Sequence, residues 1–430
     1  MRSPARISRR RLALLLSAGT ALLVAACGES ASPTPTPTPA APPVSTPPAP
    51  TSETAASAAS PVTPAATVAP SPPIPPPPAS TAAPEPTVAA PRPTRPPPAD
   101  AATASPAPTP TTPPPTPTPS PSPTPTPPPL LSPLTGLEIS PNARARRVVA
   151  VKIDNSIEAR PQSGLGTAAV VYEHVTEGSV TRYTAFFLDS DLERVGPIRS
   201  SRFVDRDLVQ QFDALFAHVG ASPPVMRDLR NSAAADLDQF FYDETTPYYR
   251  VSARPAPFNM YASLPALREV GARRHPERRE IQGFRFYDVE PSLGPLTNLT
   301  VPAGPRGPYQ AEYQFDTSTR RWRRSMGGAL EIDAHTGQAL EFENVIAQWV
   351  PARVTQYDED HLGNKSVWIG TTGEGPVSLF RDGARFDGTW RRASETDVTK
   401  FFDADGSPLE FRPGRTWIRL LTGAETVEAV

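Results

Sequence analysis

The sequence predicts an α/β (or α+β) domain followed by a smaller, mainly-β domain, the pair preceded by a long Pro/Thr-rich tether. Three observations carry this. The chain has 60 prolines in 430 residues, most of them between residues 30 and 133. From about residue 134 to 290, short apolar runs alternate with segments of helical periodicity. After a Pro/Gly-rich stretch at residues 290–309, helical periodicity ends, and strand-like runs separated by turn pairs take over.

The first 26 residues read as a bacterial signal peptide. Arg2, Arg6, Arg9, Arg10 and Arg11 form a basic start, and "LALLLSAGTALLVAA" is an apolar stretch too short for a spanning helix. It closes in "VAAC", which resembles a lipoprotein box, so Cys27 is the expected lipidation site and the lipid an anchor to the membrane rather than a span. "SRRRLAL" is also similar to a twin-arginine export signal, which leaves the general secretory and twin-arginine routes both open. Residues 27–133 are rich in Pro, Thr, Ala and Ser. They lack the apolar surface needed to offset chain entropy and read as a disordered, partly polyproline-II tether.

In the α/β part (134–290), "VVAVKIDN" is an apolar run ending in polar residues, the pattern of a doubly buried strand. "AAVVYEHVTEG" (168–178) and "RYTAFFLDS" (182–190) form an expected hairpin around "GSVT". "ALFAHVG" (214–220) is a further strand. Val204, Leu208 and Phe212 recur at helical spacing after "SSR", with Ser200 or Ser201 as the expected N-cap. "PPVMRDLRNS" opens a second helix with prolines. Leu264, Leu267 and Val270 mark a third, with Ser263 as cap and Gly271 as its end. In the β part (305–424), "RDGARFDGTWRR" and "FFDADGSPLEF" read as hairpins, and Trp349, Trp368, Trp390 and Trp417 as core.

The ordered elements "KIDN", "ARPQSGL", "YE…EG…TR" and "GPIRSSR", with "NVIAQWV", "GTWRR" and "FRPGRTWIRLL" further on, resemble the YerB-like lipoproteins, the family of the DUF3048 domain. The resemblance implies a two-domain, lipid-anchored, extracytoplasmic protein of the cell envelope and implies no chemistry. Where the family tends to show His-Asn, this chain has Phe258 before Asn259.

The site must therefore be read from residue chemistry. Asp154 and Asn155 end the first strand. Arg160, Arg182, Arg199 and Arg202 supply forked donors for a phosphate or carboxylate, and Ser201 sits at a helix start where free N–H groups favour anions. With Asn259 these are the expected ligand-binding residues. Glu173 and Glu177, an even number apart on one strand, are the candidates for acid or base if the protein is an enzyme. Asp154, Glu173 and Glu177 could hold a hard cation, but the arginines compete for the same carboxylates, and the five histidines show no ligand spacing; no metal or cofactor is expected. A net charge of −2, more negative once the basic leader is removed, argues against nucleic acid. The expectation is a module that binds an anionic envelope polymer or protein partner; the alternative is a hydrolase or transferase acting on an envelope phosphodiester or glycan.

Overall fold

A computed structural model describes residues 128–241, 247–302 and 309–430. The leader, Cys27 and nearly all of the tether lie outside these residues.

The N-terminal region contributes α1 (Pro141–Arg144), β1 (Val149–Asp154), β2 (Val170–Val175), β3 (Thr181–Phe187), α2 (Phe203–Gln211), β4 (Leu215–His218), α3 (Pro223–Arg230), β5 (Ala235–Asp238), β6 (Tyr248–Arg250), β7 (Met260–Ala262) and α4 (Leu264–Arg274). The C-terminal region is mainly β: β8 (Asn298–Val301), β9 (Ala311–Asp316), β10 (Arg321–Met326), β11 (Ala329–Leu330), β12 (Glu341–Phe342), β13 (Asn344–Trp349), β14 (Ala352–Asp358), β15 (Lys365–Ile369), β16 (Gly373–Arg381), β17 (Ala384–Arg392), β18 (Lys400–Asp403), β19 (Thr416–Leu421) and β20 (Glu428–Ala429).

The two regions share one ten-stranded sheet in the order β18-β17-β16-β13-β19-β2-β3-β1-β4-β5. The junction is the parallel pair β19–β2, in which Thr416 opposes Val170 and Arg419 opposes Glu173. The predicted hairpin of β2 and β3 forms, with β1 antiparallel to β3 and parallel to β4. Alternation along the strands sends Val149, Val151 and Ile153 into the core on one face. Ala150 and Phe186 join α2 residues Val204 and Leu208 on the other. A second sheet, β11-β10-β9-β8-β20, packs Leu299, Tyr313, Phe315 and Trp322 against the first of these cores.

Local expectations fail where tertiary packing overrides them. Neither Ser200 nor Ser201 caps α2. Arg202 is the N-cap, and its N–H donates to the Asp205 carboxylate at 2.6 Å. Ser263 does cap α4, accepting from the Ala266 N–H. Gly271 does not end that helix, which continues to Arg274; a side chain there would collide with Leu215. The Pro/Gly stretch at 290–309 contains β8, which pairs with β9 and β20.

The segment Val195–Ser201 is wedged among strand ends. The Ile198 N–H donates to Met260 O at 2.7 Å, that of Arg199 to Lys152 O at 3.0 Å, and that of Ser201 to Gly220 O at 3.0 Å. Gly196 opens the wedge at φ +147°, and an added Cβ would lie 2.8 Å from Met260 O. Gly196→Ala is expected to cost about 2 kcal/mol or more, read as a lower urea midpoint at unchanged m-value.

Candidate functional site

Period-two alternation places Lys152 and Asp154 of β1, His174 of β2, and Arg182 and Thr184 of β3 on the sheet face covered by α2. Lys152, fully buried, is the hub. Its Nζ donates to Asp205 Oδ1 at 2.8 Å and to Thr184 Oγ1 at 3.2 Å, and stands 2.5 Å from His174 Nε2. Burial lowers the Lys152 amine to about 8, against the upward pull of Asp205. Burial and the Lys152 charge lower His174. Burial alone would raise the Asp205 carboxyl, but Lys152 and the His174 hydrogen bond hold it well below the usual range. Asp205 thus closes a buried charge cluster and caps α2 at once.

Next along this face, β2 stops at Val175, and Gly178, at φ +65°, turns the chain before Thr181. Glu177 therefore leaves the strand and does not share a face with Glu173, contrary to the expectation of a continuous strand. It swings to the α2 side, where Arg202 grips it in a fork, Nε to Oε2 at 2.7 Å and NH2 to Oε1, while Arg182 NH2 donates to Oε1 at 3.3 Å. Burial raises the Glu177 carboxyl, but Arg202 and Arg182 outweigh it and hold the group at about 2. Arg202 also meets Glu359 at 3.1 Å, and Glu359 accepts from Ser222 and Ser366. Burial and the neighbouring Arg202 lower Arg182 to about 10.

Arg199 differs from these two. Its Nε lies 3.1 Å from Asp154 Oδ2 without hydrogen-bonding alignment, and its side chain is 25% exposed. Its guanidinium stands 5.8 Å from the Phe258 ring centroid. Among the described residues, none accepts a hydrogen bond from its terminal nitrogens. Adjacent to Phe258, Asn259 Oδ1 accepts from Arg250 NH1 at 2.6 Å. Ser201 is buried, with its backbone on Gly220 and its hydroxyl 3.4 Å from Arg202 O.

The opposite face holds a second charge cluster. Glu173, fully buried, accepts from Arg324 NH2 and pairs with Arg419 NH1, both at 2.8 Å, and also accepts from Trp417 Nε1 at 3.0 Å and Thr181 Oγ1 at 2.9 Å. Burial pushes this carboxyl up, but the two arginines more than offset it and hold it low. The Thr181 hydroxyl accepts from Asn155 Nδ2 at 2.6 Å, and Arg160 Nε donates to Asn155 Oδ1 at 3.1 Å. Carboxylates held ionised by paired arginines make poor general acids near neutral pH. Asp154, Glu173 and Glu177 each face their own arginines rather than a common point.

The predicted residues thus gather at one end of the central strands but divide between two faces. Asp154, Glu177, Arg182, Arg199 and Arg202 lie on the α2 side; Glu173, Asn155 and Arg160 belong to the other. Sequence reasoning missed Lys152, Asp205, Glu359, Arg324 and Arg419. Lys152 had a visible sign, a charge within a run of residues buried on both faces. Arg324 had another, sharing strand parity with Trp322 and Met326.

The mixed ten-stranded sheet with a mainly-β C-terminal half defines the class: the chain belongs to the family described as "Protein of unknown function (DUF3048)", whose N-terminal domain matches residues 134–277 and C-terminal domain residues 300–418. It is 30% identical over 296 residues to "Putative lipoprotein YerB" of Bacillus subtilis (strain 168), covering 68% of this chain and 86% of that relative. The crystal structure of YerB protein from Bacillus subtilis superposes with a TM-score of 0.62 at 28% identity, over 70% of this chain and 99% of that one. Among the described residues, no helix is long and apolar enough to cross a membrane.

Proposed function

We propose that the protein is a lipid-anchored, extracytoplasmic binding module that holds an anionic group of an envelope ligand at Arg199. The carrying observation is the contrast among the three arginines of the α2 face. Arg182 and Arg202 are buried and engaged by Glu177, Glu359 and backbone carbonyls. Arg199 is held in place by Asp154 and Phe258, yet among the described residues nothing accepts from its terminal nitrogens, the arrangement of a pre-oriented anion contact. Asn259, next in the chain to Phe258, is paired with Arg250. Cys27 and the basic leader support the lipid anchor, as does the lipoprotein name of the Bacillus subtilis relative.

Arg199→Ala is expected to lose retention on immobilised polyphosphate or polyglutamate while its unfolding free energy, read by urea titration, stays within about 1 kcal/mol of the parent, since the residue is partly exposed and makes no aligned hydrogen bond to Asp154. Equal retention of variant and parent would refute the assignment.

A further inference from the structure

We propose that an aromatic cleft at the edge of the ten-stranded sheet docks the chain's own Pro-rich segment, Pro114–Pro127. β18 is the outermost strand of that sheet. Beside it, residues 282–285 and 408–411 frame a cleft of about 350 Å³ whose apolar lining is Phe284, Phe401, Phe402, Pro408, Leu409 and Phe411. Phe401 and Phe411 are buried and form the floor, while Phe284 and Phe402 are half-buried walls. Ring centroids of Phe284 and Phe411 are 4.8 Å apart, and those of Phe401 and Phe411 5.5 Å. Gln282, Arg285 and Lys400 stand exposed on the rim and bring side-chain donors.

This chemistry fits a proline-rich strand. Such a strand offers apolar ring faces to an aromatic floor and backbone carbonyls to rim donors, and prolines have no N–H that would need an acceptor. Its extended helix is preformed, so little ordering entropy is lost on docking. In "PPTPTPSPSPTPTP" (114–127), proline occupies every second position from Pro115 to Pro127.

The path of the chain selects this segment as occupant. Pro133 O accepts from the Phe284 N–H at 3.0 Å, on the wall of the cleft, and the backbone of Gly283 packs so closely on Pro133 that a side chain there would collide with its carbonyl. Thr135 O accepts from the Gly414 N–H at 2.7 Å. Pro127 therefore precedes by six residues a point fixed to the cleft wall. Fourteen residues at about 3.1 Å each reach about 40 Å, ample to turn back over the cleft. A connection this short raises the local concentration to roughly the millimolar range, so weak contacts suffice.

The test is hydrogen–deuterium exchange at residues 400–411 in the full chain and in a full-chain variant with the alternate prolines 115–127 changed to Ser. That variant leaves every residue of the cleft unchanged. Exchange at the cleft is expected to be about fivefold or more faster in the variant. The synthetic peptide PPTPTPSPSPTPTP added to the variant should restore protection, and should fail to do so when Phe402→Ser is also present. Identical exchange in parent and variant, or a peptide that protects nothing, overturns the proposal. Protection that rises with protein concentration would assign the cleft to a second copy and also overturn it.

Discussion

Asp205→Ala is expected to destabilise the folded part by about 3–5 kcal/mol, because it leaves the Lys152 ammonium buried without its counter-charge. The same change removes the cap that receives the Arg202 N–H, a further loss of about 1 kcal/mol. Against a typical total of about 5–15 kcal/mol, this is a large share of the folding stability. Urea titration at constant m-value measures the loss. Adding Lys152→Met should recover part of it, since the orphaned charge is then gone. Strictly additive losses would refute the pairing. The pH dependence gives an independent check. The folded-state value of Lys152, about 8, lies below its usual 10.5, so between these values the unfolded chain binds the extra proton. Stability from this group therefore rises as pH increases from about 8 to 10.5, and Lys152→Met should abolish that rise.

Glu177→Gln is the second large effect. The carboxylate sits at about 2 in the folded state against an ordinary 4.5, so its contribution is complete above pH 4.5 and fades as pH falls toward 2. The difference corresponds to about 3 kcal/mol at pH 7. The variant should be less stable by roughly this amount at neutral pH. The gap to the parent should narrow between pH 4.5 and 2 as the parent's own carboxylate takes up its proton. A gap that stays constant over that window would show that Glu177 is not held by Arg182 and Arg202 as an anion.

Elements that depend on local pattern were readable from the chain. The doubly buried β1, the β2–β3 hairpin, the Pro-opened α3 and the Ser263 cap of α4 all follow from residues a few positions apart. What escaped the sequence depends on distant partners. Gly271 reads as a helix end until Leu215 is seen packed against it. Ser200 and Ser201 read as caps until the Ser201 N–H is seen donating to Gly220 O and Ser200 O accepting from Arg182, leaving Arg202 and Asp205 to close the helix. Glu173 reads as a candidate acid because its four partners come from β3, β10 and β19, the last two lying about 150 and 245 positions away. Arg182, Arg199 and Arg202 stand on the α2 side, while Arg160 pairs with Asn155 on the other face. Which of them finds carboxylate partners at its terminal nitrogens among the described residues is decided by Glu177 leaving its strand at Gly178 and by Glu359, placed beside Arg202 by a distant hairpin.

The parallel pairing of β19 with β2 has a consequence for how the chain acquires its shape. Residues 416–421 follow the other nine strands of this sheet along the chain, yet they lie in its interior, between β13 and β2. Until they arrive, β2 presents an open edge, and Glu173 lacks Arg419 and Trp417. The ten-stranded sheet is thus completed by the strand of it that comes last in the chain. A chain that stops short of residue 416 loses the seam that joins its two halves, so that truncation should behave as a folding defect of the whole sheet.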